Sequence, residues 1–92
     1  MQSLPDNVAP YRELGPFTGE TIPKGLFSNH STKAGVWGQV TVLTGSVRYV
    51  ITEPGEEESL LLEPSSPGIV APQQRHHLEL TGPVELGITF YK

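Results

Sequence analysis

Apolar and polar residues alternate with a period of two over much of this chain. The clearest case is residues 84–91. Val84, Leu86, Ile88 and Phe90 fall on one side and Glu85, Thr89 and Tyr91 on the other, the pattern of a strand with one face on a core. Residues 36–44 (Val-Trp-Gly-Gln-Val-Thr-Val-Leu-Thr) are rich in β-branched side chains and predict a second strand. Gly45-Ser46 then gives a two-residue turn signal. Residues 47–52 alternate again, with Val47, Tyr49 and Ile51 against Arg48, Val50 and Thr52, so the segment reads as a hairpin.

Shorter extended pieces are expected at residues 11–14, closed by Gly15-Pro16, and at 17–22, ended by Pro23. Others are expected at 59–63, at 69–71, and at 76–81 before a turn at Gly82-Pro83. No window carries a convincing helical period. Roughly seven to nine short strands, with turn signals about every eight to twelve residues, predict an all-β domain, a small sandwich or barrel.

Composition fits that picture. The 92 residues suffice for a single domain, 1–92, with residues 1–9 as an extended lead-in. Ten glycines and nine prolines are spread along the chain, which suits tight turns between short strands better than a disordered tail. Cysteine is lacking, so disulfides and thiolate zinc sites are excluded. The net charge is −4 and the six Lys and Arg residues are scattered, which argues against nucleic-acid binding. The first residues, Met1-Gln2-Ser3-Leu4-Pro5-Asp6, have neither a basic nor an apolar run, so no secretory signal or membrane anchor is expected and a cytoplasmic location is the default. The acidic run at Glu53–Glu58 lacks the ligand spacing of a calcium loop and reads as a solvated turn. The exposed edges of so small a sandwich suit pairing into a homodimer.

Candidate chemistry gathers at Pro72-Gln73-Gln74-Arg75-His76-His77-Leu78-Glu79-Leu80, which holds two of the three histidines. The third, His30, is far away in sequence. Imidazole suits zinc, nickel or iron, and zinc sites want three or four ligands. Alternation sets His76 with Leu78 and Leu80, and His77 with Glu79. Strict alternation therefore favours His30, His77 and Glu79, whereas His76 can join Glu79 only across a bulge. No phosphate loop, nucleophile elbow or zinc-protease helix is present, and the residues assign no reaction.

Several motifs resemble the cupin superfamily of small jelly rolls. Gly45 matches the hairpin glycine that follows its first motif, and Gly68, Pro72 and His76 match the second, with the proline displaced by about one residue. A closer resemblance is to the cupin-like domain of the TehB tellurite-resistance family and its stand-alone YeaR-like members. It rests on His30-Ser31-Thr32-Lys33-Ala34-Gly35-Val36-Trp37-Gly38, Val42-Leu43-Thr44-Gly45-Ser46-Val47, Glu63-Pro64, Pro72-Gln73-Gln74-Arg75-His76 and Ile88-Thr89-Phe90-Tyr91. The chain departs from the pattern at Arg75, where the family has Trp, at Thr32, where cupins have a second histidine, and at Gln39, near the cupin glutamate.

The resemblance implies a cupin-like jelly roll and favours His76 over His77. His30 and His76 are then the expected ligands of a divalent metal (Zn, Ni or Fe), with Glu79 as a conditional third. Thr32, Trp37, Gln39, Arg75 and His77 are expected around the pocket. The implied function is a stress or detoxification protein that binds a metal or a small ligand. A metal-free sensor of a small molecule or oxyanion, with the histidines as hydrogen-bond donors, is the alternative. A cupin-type Fe(II) dioxygenase would need a carboxylate, which only Glu79 could supply.

Overall fold

The computed structural model describes residues 1–92. Five strands follow one another: β1 (Pro10–Thr18), β2 (Trp37–Glu53), β3 (Glu58–Leu62), β4 (Gly68–Val70) and β5 (Arg75–Tyr91), with one short 3-10 turn at Lys24–Phe27. All pairings are antiparallel. The all-β expectation holds, and no helix is long and apolar enough to cross a membrane.

The expected hairpin at Gly45-Ser46 does not form. The two halves of that segment are one strand of 17 residues, β2, and its partner is β5, also of 17 residues. The two pair along their length, from Trp37 opposite Tyr91 to Glu53 opposite Arg75. Gly45 marks a bulge, with register shifts on either side of it. Its φ of 79° would strain any other residue. A Cβ there would lie 2.1 Å from the Pro83 carbonyl oxygen, so the crossing strand closes against bare glycine. Gly82-Pro83, expected to turn the chain, sits within β5 at the same level. Both turn signals are therefore bulges in one long ribbon, because positive φ serves a bulge as well as a turn.

Gly15-Pro16 likewise interrupts register without ending β1, which runs to Thr18. That strand is at a sheet edge, where a missing N–H costs no ladder bond. A turn at Thr18–Ile22, closed by Ile22 N–H donating to Thr18 O at 2.9 Å, replaces the extended piece expected there.

The near half of β2 (37–44) is flanked by β4 and the far half of β5, which in turn carries β1. The far half of β2 (47–53) is flanked by β3 and the near half of β5. Inward positions oppose one another: Val40 with Ile88, Val42 with Leu86, Tyr49 with Leu78. They join Val47, Ile51, Leu62, Val70, Val84 and Ile22 in one core cluster. Fully buried side chains such as Leu86 and Leu62 each contribute about 1.5–3 kcal/mol relative to exposure.

Candidate functional site

The segment before β2 is tied to the start of β5 by a single antiparallel bridge. His30 N–H donates to His76 O and His76 N–H to His30 O, both at 2.9 Å. Residues that exchange both backbone bonds place their side chains side by side. The two imidazole rings accordingly lie with centroids 4.1 Å apart, tilted by 58°. The fold thus brings together the two histidines that the sequence keeps far apart.

Each ring is held through one nitrogen. His30 Nδ1 lies 2.9 Å from the Ser28 carbonyl oxygen, and His76 Nδ1 lies 2.8 Å from that of Gln74. A carbonyl only accepts, so each Nδ1 carries the proton. In the neutral ring Nε2 then holds a free lone pair. His76 Nε2 has no protein partner and is not sealed off from the surface, so it opens into the cavity that the ring lines. His76 is almost wholly buried. Burial pushes its pKa down to about 4, with His30 and His77 adding to the drop and the Gln74 carbonyl opposing it. At neutral pH its Nε2 is an electron-pair donor. Beneath it, Tyr49 stands edge-on to the ring at 5.7 Å and donates its hydroxyl to the Ile69 carbonyl at 2.9 Å. Burial, with a smaller push from the Glu58 carboxylate, raises the Tyr49 pKa and keeps it neutral.

The cavity has a volume of about 330 Å³ and lies between the two halves of the ribbon. Val40, Val70, Leu78 and Ile88 are its buried walls, with Leu26, Val36 and Phe90 half-buried around them. Arg12, Tyr11, Ser31 and Lys33 are its exposed rim.

Other expected site residues lie elsewhere. Register is regular from His76 to Glu79, paired to Ile51, Val50, Tyr49 and Arg48 in turn. No bulge turns Glu79 inward, and it stays on the opposite face with His77. His77 Nε2 meets Glu79 Oε2 at 2.8 Å and its Nδ1 meets Asn29 Oδ1 at 2.8 Å. The rival set of His30, His77 and Glu79 is equally divided between faces. No group of three or more His, Asp or Glu side chains is placed to hold a metal ion.

Arg75 is exposed and donates to the Asn29 carbonyl at 3.3 Å; it does not line the cavity. Trp37 and Gln39 alternate with the cavity residues Gly38 and Val40 and so face away, with Gln39 bonded to Thr41 Oγ1 at 3.3 Å. Thr32 does line the cavity, but its hydroxyl donates to the Val36 carbonyl at 2.8 Å and closes the local turn. Arg12, Lys33 and the apolar walls were not anticipated. The period-two pattern carried the signal for the walls, since Val36, Gly38 and Val40 share a face. Nothing local to Arg12 marked it, because β1 reaches the cavity only by pairing with β5.

Comparison with known proteins agrees with this architecture. Two curated relatives from Haemophilus influenzae, strains 10810 and KW20/Rd, are each described as a probable S-adenosyl-L-methionine-dependent methyltransferase TehB. Each is 33% identical over 85 residues, which cover 88% of this chain and 30% of the relative. The chain therefore spans less than a third of the length of those proteins. The crystal structure of TehB from Haemophilus influenzae superposes with a TM-score of 0.84 at 29% identity, over 94% of this chain and 32% of that one. The crystal structure of a protein from E. coli strain K12 superposes with a TM-score of 0.87 at 24% identity, over 100% of this chain and 97% of that one; at that identity it bears on the fold alone. The TehB-like domain model matches residues 12–88, from the rim arginine on β1 to the cavity wall on β5, and the chain belongs to the TehB-like family.

Proposed function

We propose that this domain binds a small ligand in the cavity between the ribbon halves, with the Nε2 atoms of His30 and His76 as its point of recognition. One observation carries the reading. Two bridged imidazoles spend their Nδ1 protons on backbone carbonyls and offer lone pairs to an otherwise mostly apolar cavity of about 330 Å³. That is the usual make-up of a ligand pocket, an apolar enclosure with a few convergent polar atoms. In the TehB-like setting it would serve detoxification or stress response as a binding module. In this reading the histidines act as acceptors rather than as the expected donors, because an Nδ1 that donates to a carbonyl leaves Nε2 with its lone pair in the neutral ring.

A second reading is a divalent metal on the same two atoms. Its support is the Nδ1 anchoring, which also fixes the tautomer of metal-ligating histidines. The fit is partial: two imidazoles supply two of the three or four ligands that zinc takes, and no carboxylate lines the cavity. A metal here would need water or a bound ligand to complete its shell. The dioxygenase reading loses its carboxylate, since Glu79 is bonded to His77 on the other face.

Thermal shift and calorimetry on chelator-treated protein, with Zn, Ni and Fe(II) salts and a small-molecule panel, test these readings. Stabilisation by an organic ligand that is lost in His30→Ala/His76→Ala supports the first. Stabilisation by metal alone supports the second. Equal binding by parent and double variant would overturn both.

A further inference from the structure

The rim of the cavity carries a charge pattern at odds with the rest of the chain. Acidic residues outnumber basic ones by ten to six, yet no Asp or Glu lines the cavity, while Arg12 and Lys33 do. Neither cation is committed within the protein. Met1 pairs with Glu58 and His77 is bonded to Glu79, and no ion pair or side-chain hydrogen bond uses Arg12 or Lys33. Two free cations therefore stand at the exposed rim of an apolar enclosure whose buried wall carries the His76 acceptor.

Resting on the small-ligand reading above, we propose that the ligand is a small organic monoanion with an apolar body and a hydrogen-bond donor at its far end. The carboxylate or equivalent anion meets Arg12 and Lys33, Val40, Val70 and Ile88 enclose the body, and a hydroxyl donates to Nε2 of His76 or His30. An anion alone would find no donor at the floor. A neutral apolar molecule would leave both the rim cations and the floor acceptors unanswered. Each buried, unanswered polar group weakens binding, and recognition of a hydroxyl by a buried acceptor discriminates strongly against analogues lacking it. At about 330 Å³ the cavity lies at the small end of the range for small-molecule pockets. A phenolic carboxylate or a short ω-hydroxy acid suits that size.

Calorimetry on chelator-treated full chain distinguishes the class, using 4-hydroxybenzoate and 6-hydroxyhexanoate against benzoate, which lacks the donor, and 4-hydroxybenzyl alcohol, which lacks the anion. At least one hydroxy acid should bind with a Kd below about 1 mM, and 4-hydroxybenzoate about tenfold or more tighter than either truncated analogue. Arg12→Gln/Lys33→Gln, on the exposed rim, should erase the preference for 4-hydroxybenzoate over the alcohol. His76→Phe should erase its preference over benzoate.

Binding of the alcohol as tightly as of 4-hydroxybenzoate, or failure of both hydroxy acids, would overturn the proposal. The ring resonances of His30 and His76 separate that failure from a deeper one. If they move with a neutral probe, the cavity still binds small ligands. If no probe moves them, the small-ligand reading falls too.

Discussion

His76 and His77 are neighbours in the chain and live in different chemistry. His76 faces the cavity, nearly wholly buried, anchored to a backbone carbonyl and held neutral with a pKa of about 4. His77 faces outward, spanning Asn29 and the Glu79 carboxylate. One step along a strand exchanges a desolvated lone pair for a ring hydrogen-bonded at the outer face. Residue type does not make the site; the face does. The face is set by register, and the β2–β5 register shifts around Gly45 and again between Ile51 and Glu53, beside His76.

The harshest way to break the contrast is therefore at Gly45. Gly45→Ala puts a Cβ into the Pro83 carbonyl at positive φ. A loss of about 3 kcal/mol or more is expected, read from chemical denaturation. Gly25→Ala, at an ordinary φ, is the control. It meets no atom within 4 Å and should cost distinctly less.

Next in size is ligand affinity. His76→Ala should lower it tenfold or more, and His77→Ala should leave it within about twofold, as measured by calorimetry. Equal losses would erase the distinction between the faces.

The pH dependence of stability sharpens the comparison further. His76 is neutral in the folded chain down to about pH 4 but takes a proton near 6.5 when unfolded. The unfolded state therefore binds more protons between those values. Stability should be full above pH 6.5 and should fall as pH drops toward 4, by on the order of 2 kcal/mol. His76→Gln should flatten that part of the profile in a series of denaturation curves.

The smallest effect belongs to the outer face. Glu79→Gln removes a half-exposed pair and should change stability by no more than about 1 kcal/mol, with less effect at high salt.

Much of the all-β fold was legible because alternation is a local property. Residues 84–91 read as a two-faced strand, and they form one. Strand pairing was not legible. Gly45-Ser46 signals a hairpin and Gly82-Pro83 a turn, but a bulge asks for the same positive φ, and only the distant partner decides between them. The site shows the same division. His30 and His76 could be nominated, yet alternation alone grouped His77 with Glu79 without saying which face would be inside. Trp37 and Gln39 were placed at the pocket by motif position, and period-two alternation from Val40 sends them out. Arg12 lay beyond reach because its place at the rim depends on β1 pairing with the end of β5.

The central claim is that His76 offers an unprotonated Nε2 to the cavity while its Nδ1 proton stays on the Gln74 carbonyl. Long-range proton–nitrogen correlation spectra of labelled protein, recorded from pH 8 to pH 4, test it directly. The expected result is a protonated Nδ1 and a bare Nε2 throughout most of that range, with titration only near the acid end and a shift at Nε2 on ligand binding. A proton on Nε2 at neutral pH, or a midpoint above 6, would contradict it.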